Sequence, residues 1–263
     1  PKLAGQLAYR MFTTPRNRAQ HKVSDQIMEQ AQLFEFMYGS KLLKGYEWGS
    51  GPKTCLLVHG WESRGTALRS FVPALVNEGY RVIAFDGPAH GHSDGKQTDL
   101  PHFGGAIRAL LRREGKVEAI IAHSFGGAST VYTLANLVQD QAIESLVLIA
   151  SPSRLDRVME RFARFVHLPP KGQEWFRKIL EKRAKLRLEE ASIGTAYSKV
   201  KVDQTLVIHD KLDQVVPFAE AETVFASWDH ITLLVTEGEG HFKLVKNPKI
   251  IQRVTHFISQ ERA

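Results

Sequence analysis

The sequence predicts an α/β protein, a doubly wound and mostly parallel sheet with an inserted helical cap. Three observations predict it. From residue 54 onward, short apolar runs of strand length alternate with runs of helical periodicity, the pattern of parallel strands joined by crossover helices. The alternation breaks once, over residues 152–200, where basic helical runs follow one another without a strand. Between these lies Ile120-Ile121-Ala122-His123-Ser124-Phe125-Gly126-Gly127, an apolar strand that meets a polar pair and two glycines before a helix-compatible run over 128–138. Such a strand–turn–helix lifts the Ser124 hydroxyl above the sheet edge and sets it at a helix N-terminus, where free N–H groups favour developing negative charge.

Taken in order, Leu3, Leu7 and Met11 recur at four-residue spacing, as do Ala4, Ala8 and Phe12, so a short amphipathic helix is expected before Pro15. Val23, Ile27 and Ala31 predict a second helix. Both are expected to pack on the core, with a weak peripheral membrane contact as the alternative, given Arg10, Arg16, Arg18 and Lys22 nearby. The period then shifts towards two, and residues 33–38 and 41–48 read as two antiparallel strands joined at Gly39-Ser40. Residues 54–58, 80–85, the run before Ser124, 145–150, 205–208 and 231–235 read as further strands. Helices are expected over 66–77, 100–113, 219–227 and 248–260, and within the break over 155–166, 174–188 and 189–197, with Pro169-Pro170 and Gly172 as punctuation. The expected division is an N-terminal helical extension over 1–31, a core over 32–151 and 201–263, and a helical cap over 152–200.

At 263 residues the chain can bury a substantial core, and its 43% hydrophobic and 24% charged residues are ordinary for a globular protein. A single cysteine, Cys55, rules out an internal disulfide framework and points to a reducing compartment, with the cytoplasm as the expected location. It lies inside an apolar strand and reads as a structural thiol. No apolar run approaches the ~18–20 residues that span a bilayer, and no signal-peptide core opens the chain. The net charge of +7 is uneven: residues 1–50 hold 7 basic and 4 acidic side chains, and residues 152–200 hold 12 and 6. A solvated basic surface is the plain reading, and attraction of anionic substrates or lipid headgroups the sharper one. No basic-aromatic module accompanies the charge, so a nucleic-acid partner is not expected.

A serine hydroxyl is a poor nucleophile unless a base removes its proton during attack and an acid orients that base. The order serine, acid, histidine is available: Ser124 follows one strand, Asp210 or Asp213 a later one, and His241 the last. In a doubly wound sheet all would stand at carboxyl ends of strands, where ligands bind.

At these residues the chain resembles the α/β-hydrolase superfamily of serine hydrolases, over roughly residues 32–263. Ala122-His123-Ser124-Phe125-Gly126 is similar to the nucleophile pattern G-x-S-x-G, with alanine at the first glycine. His59-Gly60-Trp61 is similar to the oxyanion-loop motif, and Asp86 through Ser93 to D-x-P-G-x-G-x-S, departing at Ala89. Asp213 in Asp-Gln-Val-Val-Pro resembles the acid motif, and Gly240-His241-Phe242 the histidine motif. The resemblance implies the α/β-hydrolase fold, a catalytic triad of Ser124, His241 and Asp213, oxyanion donors from the backbone of Trp61 and Phe125, and no metal or organic cofactor. It implies hydrolysis of a small-molecule carboxylic ester or thioester through an acyl-enzyme, and the serine argues against the branches that use an aspartate nucleophile. A non-catalytic binding protein on the same fold is the alternative class. Acyl transfer to another acceptor and carbon–carbon bond hydrolysis are alternatives within the enzymes.

Other residues are weighed against plainer roles. Asp210 is expected to shape its turn, His59 to hold the oxyanion loop, and the His90/His92 pair to belong to a structural turn rather than a metal site. His123, Phe162, Phe165, Trp175 and Phe176 are candidate substrate-binding residues, the aromatics from the cap. Core packing competes for each, and most of the aromatics are expected to serve it.

Overall fold

The structure is a computed structural model and describes residues 1–20, 25–138 and 140–260. Among the described residues eight strands form one sheet in the order β1-β2-β4-β3-β5-β6-β7-β8. They are β1 Gln32–Tyr38, β2 Lys41–Trp48, β3 Lys53–Val58, β4 Tyr80–Phe85, β5 Ala119–His123, β6 Ile143–Ile149, β7 Val202–Asp210 and β8 Ile231–Thr236. The pairs β1/β2 and β2/β4 are antiparallel and the rest parallel. The α-helices are α1 Lys2–Thr13, α2 Gln26–Glu29, α3 Val72–Asn77, α4 Leu100–Glu114, α5 Phe125–Asn136, α6 Leu155–Phe165, α7 Pro170–Ala184, α8 Ile193–Ala196, α9 Ala219–Phe225, α10 Gly240–Lys243 and α11 Pro248–Ser259. No helix among the described residues is long and apolar enough to cross a membrane.

The unbroken apolar runs of the inner strands follow from burial on both faces. On β3, Leu56 and Val58 pack with α4, α5 and α9, while Cys55 and Leu57 pack with α3 and α11. On β5, Ile120 and Ala122 take the first face and Ala119 and Ile121 the second, and Leu146, Leu148 against Val147, Ile149 repeat this on β6. Cys55 is fully buried, and burial pushes its thiol up, so it is a packing residue. The strand order reverses at β3, with β4 on one side and β5 on the other. The loops after β3 and β5 therefore flank the crevice at the sheet's switch point.

Several elements differ from expectation for local reasons. The helix expected over 66–77 is a 3-10 turn, Gly65–Phe71, followed by α3. Pro73 has no N–H to donate to Arg69, so an α-helix cannot run through it. In the break, α7 begins at Pro170 because proline suits the first helical position, where its missing N–H costs nothing. Among the described residues of the second expected helix lies the single turn α2, capped by Asp25, whose side chain accepts from Met28 N–H. Lys22 and Val23 lie outside the described residues.

The first helix does not lie on the sheet. Gly5, Ala8 and Phe12 of α1 face α6 and α7, with Phe12 edge-on to Phe162 and Phe176 at 5.1 and 5.4 Å. A side chain at Gly5 would meet Trp175 Cβ at 2.6 Å, so glycine sets how closely the two helices approach. Leu3 and Leu7 are left outward, 77% and 59% exposed.

Ala89 departs from the resembled motif and takes φ 67°, a left-handed conformation that glycine adopts without strain. Its N–H donates to Asp94 O at 2.9 Å, which holds the turn in place. Ala89→Gly should relieve about 1–2 kcal/mol of strain and lose roughly half of that to chain entropy. A small rise in the urea midpoint, at unchanged slope, is the expected result; a fall of the midpoint would mean that the methyl is needed for packing.

Candidate active site

Ser124 stands between β5 and α5 at φ 54°, ψ −125°, a sparsely populated conformation for a residue with a side chain. Strain of this kind persists only where the surroundings enforce it. Here the Ser124 N–H donates to Ile149 O at 2.8 Å, tying the turn to β6. Below it, a Cβ on Gly126 would overlap the His59 carbonyl, so the helix can start this close to β3 only with glycine. Ala122, at the first glycine of the motif, is fully buried and packs in the core.

Ser124, His241 and Asp213 are brought into one hydrogen-bonded line. The Ser124 Oγ donates to His241 Nε2 at 3.0 Å, and His241 Nδ1 donates to Asp213 Oδ2 at 2.8 Å. The other oxygen, Asp213 Oδ1, accepts from the N–H groups of Val215 and Val216 at 2.8 and 2.9 Å. Burial pushes the Asp213 carboxyl up, but its hydrogen bonds from His241, Val216 and Val215 more than offset this and hold it below the usual carboxylate range. An ionised, buried carboxylate behind Nδ1 fixes the imidazole with Nε2 free to take a proton, which is what base-assisted attack needs.

Asp210 is elsewhere. Fully buried, it accepts from Thr236 Oγ1 at 2.7 Å and from the N–H groups of Leu212 and Glu239 at 2.9 Å each. Burial raises its carboxyl, and these donors bring it down to about 2. It ties the end of β7 to the loop that carries His241. The structure also gives a part to two histidines. His123 Nε2 donates to the His241 carbonyl at 3.0 Å, with burial holding His123 down at about 4. His209, which the sequence did not single out, donates to Val216 O at 2.8 Å and stands 3.6 Å from Asp213 Oδ2. Nothing in its sequence context separates it from a strand residue.

The loop after β3 lies across the start of α5. His59 Nδ1 donates to Gly60 O at 2.7 Å and its Nε2 accepts from Gly87 N–H at 2.9 Å, while burial lowers its basicity to about 4. His90 Nε2 accepts from Glu62 N–H at 3.1 Å and its Nδ1 donates to Pro88 O at 3.0 Å, so both ring nitrogens are engaged within the turn. The Trp61 ring meets Phe125 edge-on at 5.4 Å, locking the loop to the helix. Phe125 opens α5, so its N–H has no carbonyl one turn earlier in the helix.

A cavity of about 700 Å³ opens at Ser124. Phe162 and Phe165 line it; Trp175, Phe176 and His123 do not. Phe176 is fully buried between α1, α6 and α7, and Trp175 lies against α1 with Lys2 and Lys178 over its ring. Both were candidates for the substrate pocket with core packing as the competing role, and α1 claims them by covering that side of α7. The arginines along the wall are paired: Arg16 with Glu62, Arg154 with Asp156 and Arg161 with Glu220. Lys199 also lines the cavity and is exposed. Unforeseen wall residues include Ala128, Tyr132 and Ala135 of α5 and Ile193 of α8. Their spacing is that of a helix packing face, so the sequence carries no separate signal for them. Among the described residues no group of three or more His, Cys, Asp or Glu could hold a metal ion.

The sequence model of the alpha/beta hydrolase family matches residues 55–249. A bifunctional esterase/perhydrolase of Acinetobacter calcoaceticus is 22% identical over 251 residues, covering 76% of this chain and 84% of that protein. A non-heme chloroperoxidase of Kitasatospora aureofaciens is 36% identical over 86 residues, 31% of this chain and 30% of its own. Among solved structures, an esterase of Pyrococcus furiosus superposes with TM-score 0.69 at 19% identity, covering 93% of this chain and 95% of that one.

Proposed function

We propose that this chain, which belongs to the alpha/beta hydrolase family, is a serine hydrolase that cleaves carboxylic esters or thioesters through an acyl-enzyme on Ser124. The observation that carries the reading is the unbroken hydrogen-bonded line from Ser124 through His241 to Asp213. In acylation, Ser124 Oγ bonds to the acyl carbon as its proton passes to His241 Nε2. The tetrahedral oxygen takes hydrogen bonds from the Trp61 and Phe125 N–H groups, each worth roughly 3–4 kcal/mol by mutational precedent. Collapse breaks the bond to the alkoxide or thiolate, which leaves with the proton from His241. Water repeats the sequence in deacylation, losing its proton to His241, and Ser124 recovers it as the free acid departs.

In this reading residues 152–200 are a cap. What supports it is that Leu155, Val158, Phe162 and Ile193 from that segment line the cavity at Ser124. Glu220 of α9 clasps it to the core, accepting from Ser153 N–H at 3.0 Å and pairing with Arg161 at 2.8 Å. Helix α1 then acts with the cap, since it packs on α7. The substrate is a small-molecule acyl ester or thioester, and the reduced, buried Cys55 suits a cytoplasmic site of action.

Turnover of p-nitrophenyl and thioester substrates, each lost in Ser124→Ala, tests the reading; a purified enzyme inert to every acyl donor in such a panel would leave a binding protein on this fold. A second reading comes from the relative named as an esterase/perhydrolase. Hydrogen peroxide in place of water would release a peracid from the same acyl-enzyme. Peracid formed from a short carboxylic ester and peroxide, absent in Ser124→Ala, is its signature.

A further inference from the structure

We infer that the cavity takes the acyl chain lengthwise along α5, and that the length of this helix sets the preferred chain at about 12–14 carbons. The inference rests on Ser124 as nucleophile and adds the direction and reach of the bound chain.

Phe125, Ala128, Tyr132 and Asn136 line the cavity and are part-buried or exposed. Counted from Phe125 they fall at steps of three, four and four, which is one face of a helix. The cavity floor therefore extends from the serine to the last residue of α5, a helix of 12 residues. At a rise of about 1.5 Å per residue the distance from Ser124 to Asn136 is about 18 Å. A zigzag of C–C bonds about 1.52 Å long advances about 1.25 Å per carbon, so about 14 carbons cover that distance. Leu155 and Val158 of α6 line the cavity as well, while Ile193 and Ala196 of α8 pack on α5 in the core and close that side. Asn136, Thr195 and Lys199 at the far end are exposed, so the channel opens to solvent there.

The cavity also reaches towards α1, where Met11, Phe12 and Phe162 line it. There the rings of Phe12 and Phe162 meet at 5.1 Å and those of Phe162 and Phe176 at 5.8 Å, so this end is walled by side chains that hold one another in place. Beside the oxyanion loop the Arg16–Glu62 pair presents a polar surface, fitted to the alcohol or thiol part. The cavity volume of about 700 Å³ lies within the ordinary range for a site that encloses its ligand.

The test is kcat/KM for p-nitrophenyl esters from acetate to palmitate, below their aggregation limits. For the wild type a rise of roughly two- to four-fold per methylene is expected, levelling near about 12 carbons as the chain reaches solvent. Ala128 stands about 6 Å along the helix, so Ala128→Phe should stop the rise near about 5 carbons. Asn136→Trp, on an exposed position that tolerates bulk, should keep the rise but lower palmitate relative to laurate. The result that overturns the inference is a flat wild-type profile. So is a wild-type profile in both α5 variants with length dependence lost in Phe165→Ala, which would put the chain beside α6 and α1. Circular dichroism checks folding, and Asn136→Trp decides if Ala128→Phe does not fold. Ester hydrolysis that survives Ser124→Ala would instead bring down the underlying reading, whatever the profile.

Discussion

Ser124→Ala should lower ester turnover by roughly 10⁴- to 10⁶-fold, because it removes the group proposed to form the acyl-enzyme and leaves the proposed base with no proton to take. Any remaining rate would come from the oxyanion donors and substrate binding alone. The backbone should tolerate the change, since the φ of 54° is imposed by the β6 tie and by Gly126 rather than by the hydroxyl. A fluorophosphonate probe should add one label per wild-type chain and none to the variant. Labelling that persists at full stoichiometry would show that the nucleophile is elsewhere.

The second large effect separates two aspartates three residues apart. Asp213→Asn should cost about 10⁴-fold in kcat with little loss of stability. Asp213 Oδ1 is held by two N–H donors from Val215 and Val216. An asparagine would keep its carbonyl there and turn its amide N–H towards His241 Nδ1. That drives the imidazole proton onto Nε2, which then cannot accept from Ser124. Asp210→Asn should do the opposite. Both Asp210 oxygens accept from buried or part-buried donors, so an amide sets donor against donor and should cost about 1–3 kcal/mol of stability. Turnover should fall far less, through a looser His241 loop.

The Asp210 carboxyl, held at about 2, also predicts an acid signature. A depressed carboxylate contributes stability above its unfolded pKa of about 3.9 and loses it as pH falls through the folded value. The wild type should therefore weaken between about pH 4 and 2 by more than Asp210→Asn does. Kinetics and thermal unfolding of the pair decide the matter: if Asp210→Asn is the slower enzyme and Asp213→Asn the less stable, the roles are reversed.

How far the chain could be read without its structure depended on the kind of signal. The sheet was legible because strands buried on both faces must be apolar throughout, as at 54–58 and 120–122, and the helices between them must fall at helical spacing. Ser124, Asp213 and His241 were legible as candidates because reactive side chains at strand ends sit in short, punctuated loops, with Gly126, Pro217 and Gly240 marking the turns. Local rules could also go astray: Pro73 interrupts one expected helix and Pro170 begins another, through the same missing N–H.

What the chain determined by itself was the order of elements, the buried thiol of Cys55 and the set of groups able to do chemistry. Only tertiary structure decided how they meet. It put Asp213 rather than Asp210 behind His241, because the turn after β7 aims one carboxylate at the imidazole and buries the other against the next loop. It sent Phe176 and Trp175 to α1 rather than to the cavity, and left Ala128 and Tyr132 as its floor. An apolar residue on a helix face reads the same whether a neighbouring helix or a void lies opposite. That difference exists only once distant segments have packed, since it depends on what the other side of the space contains.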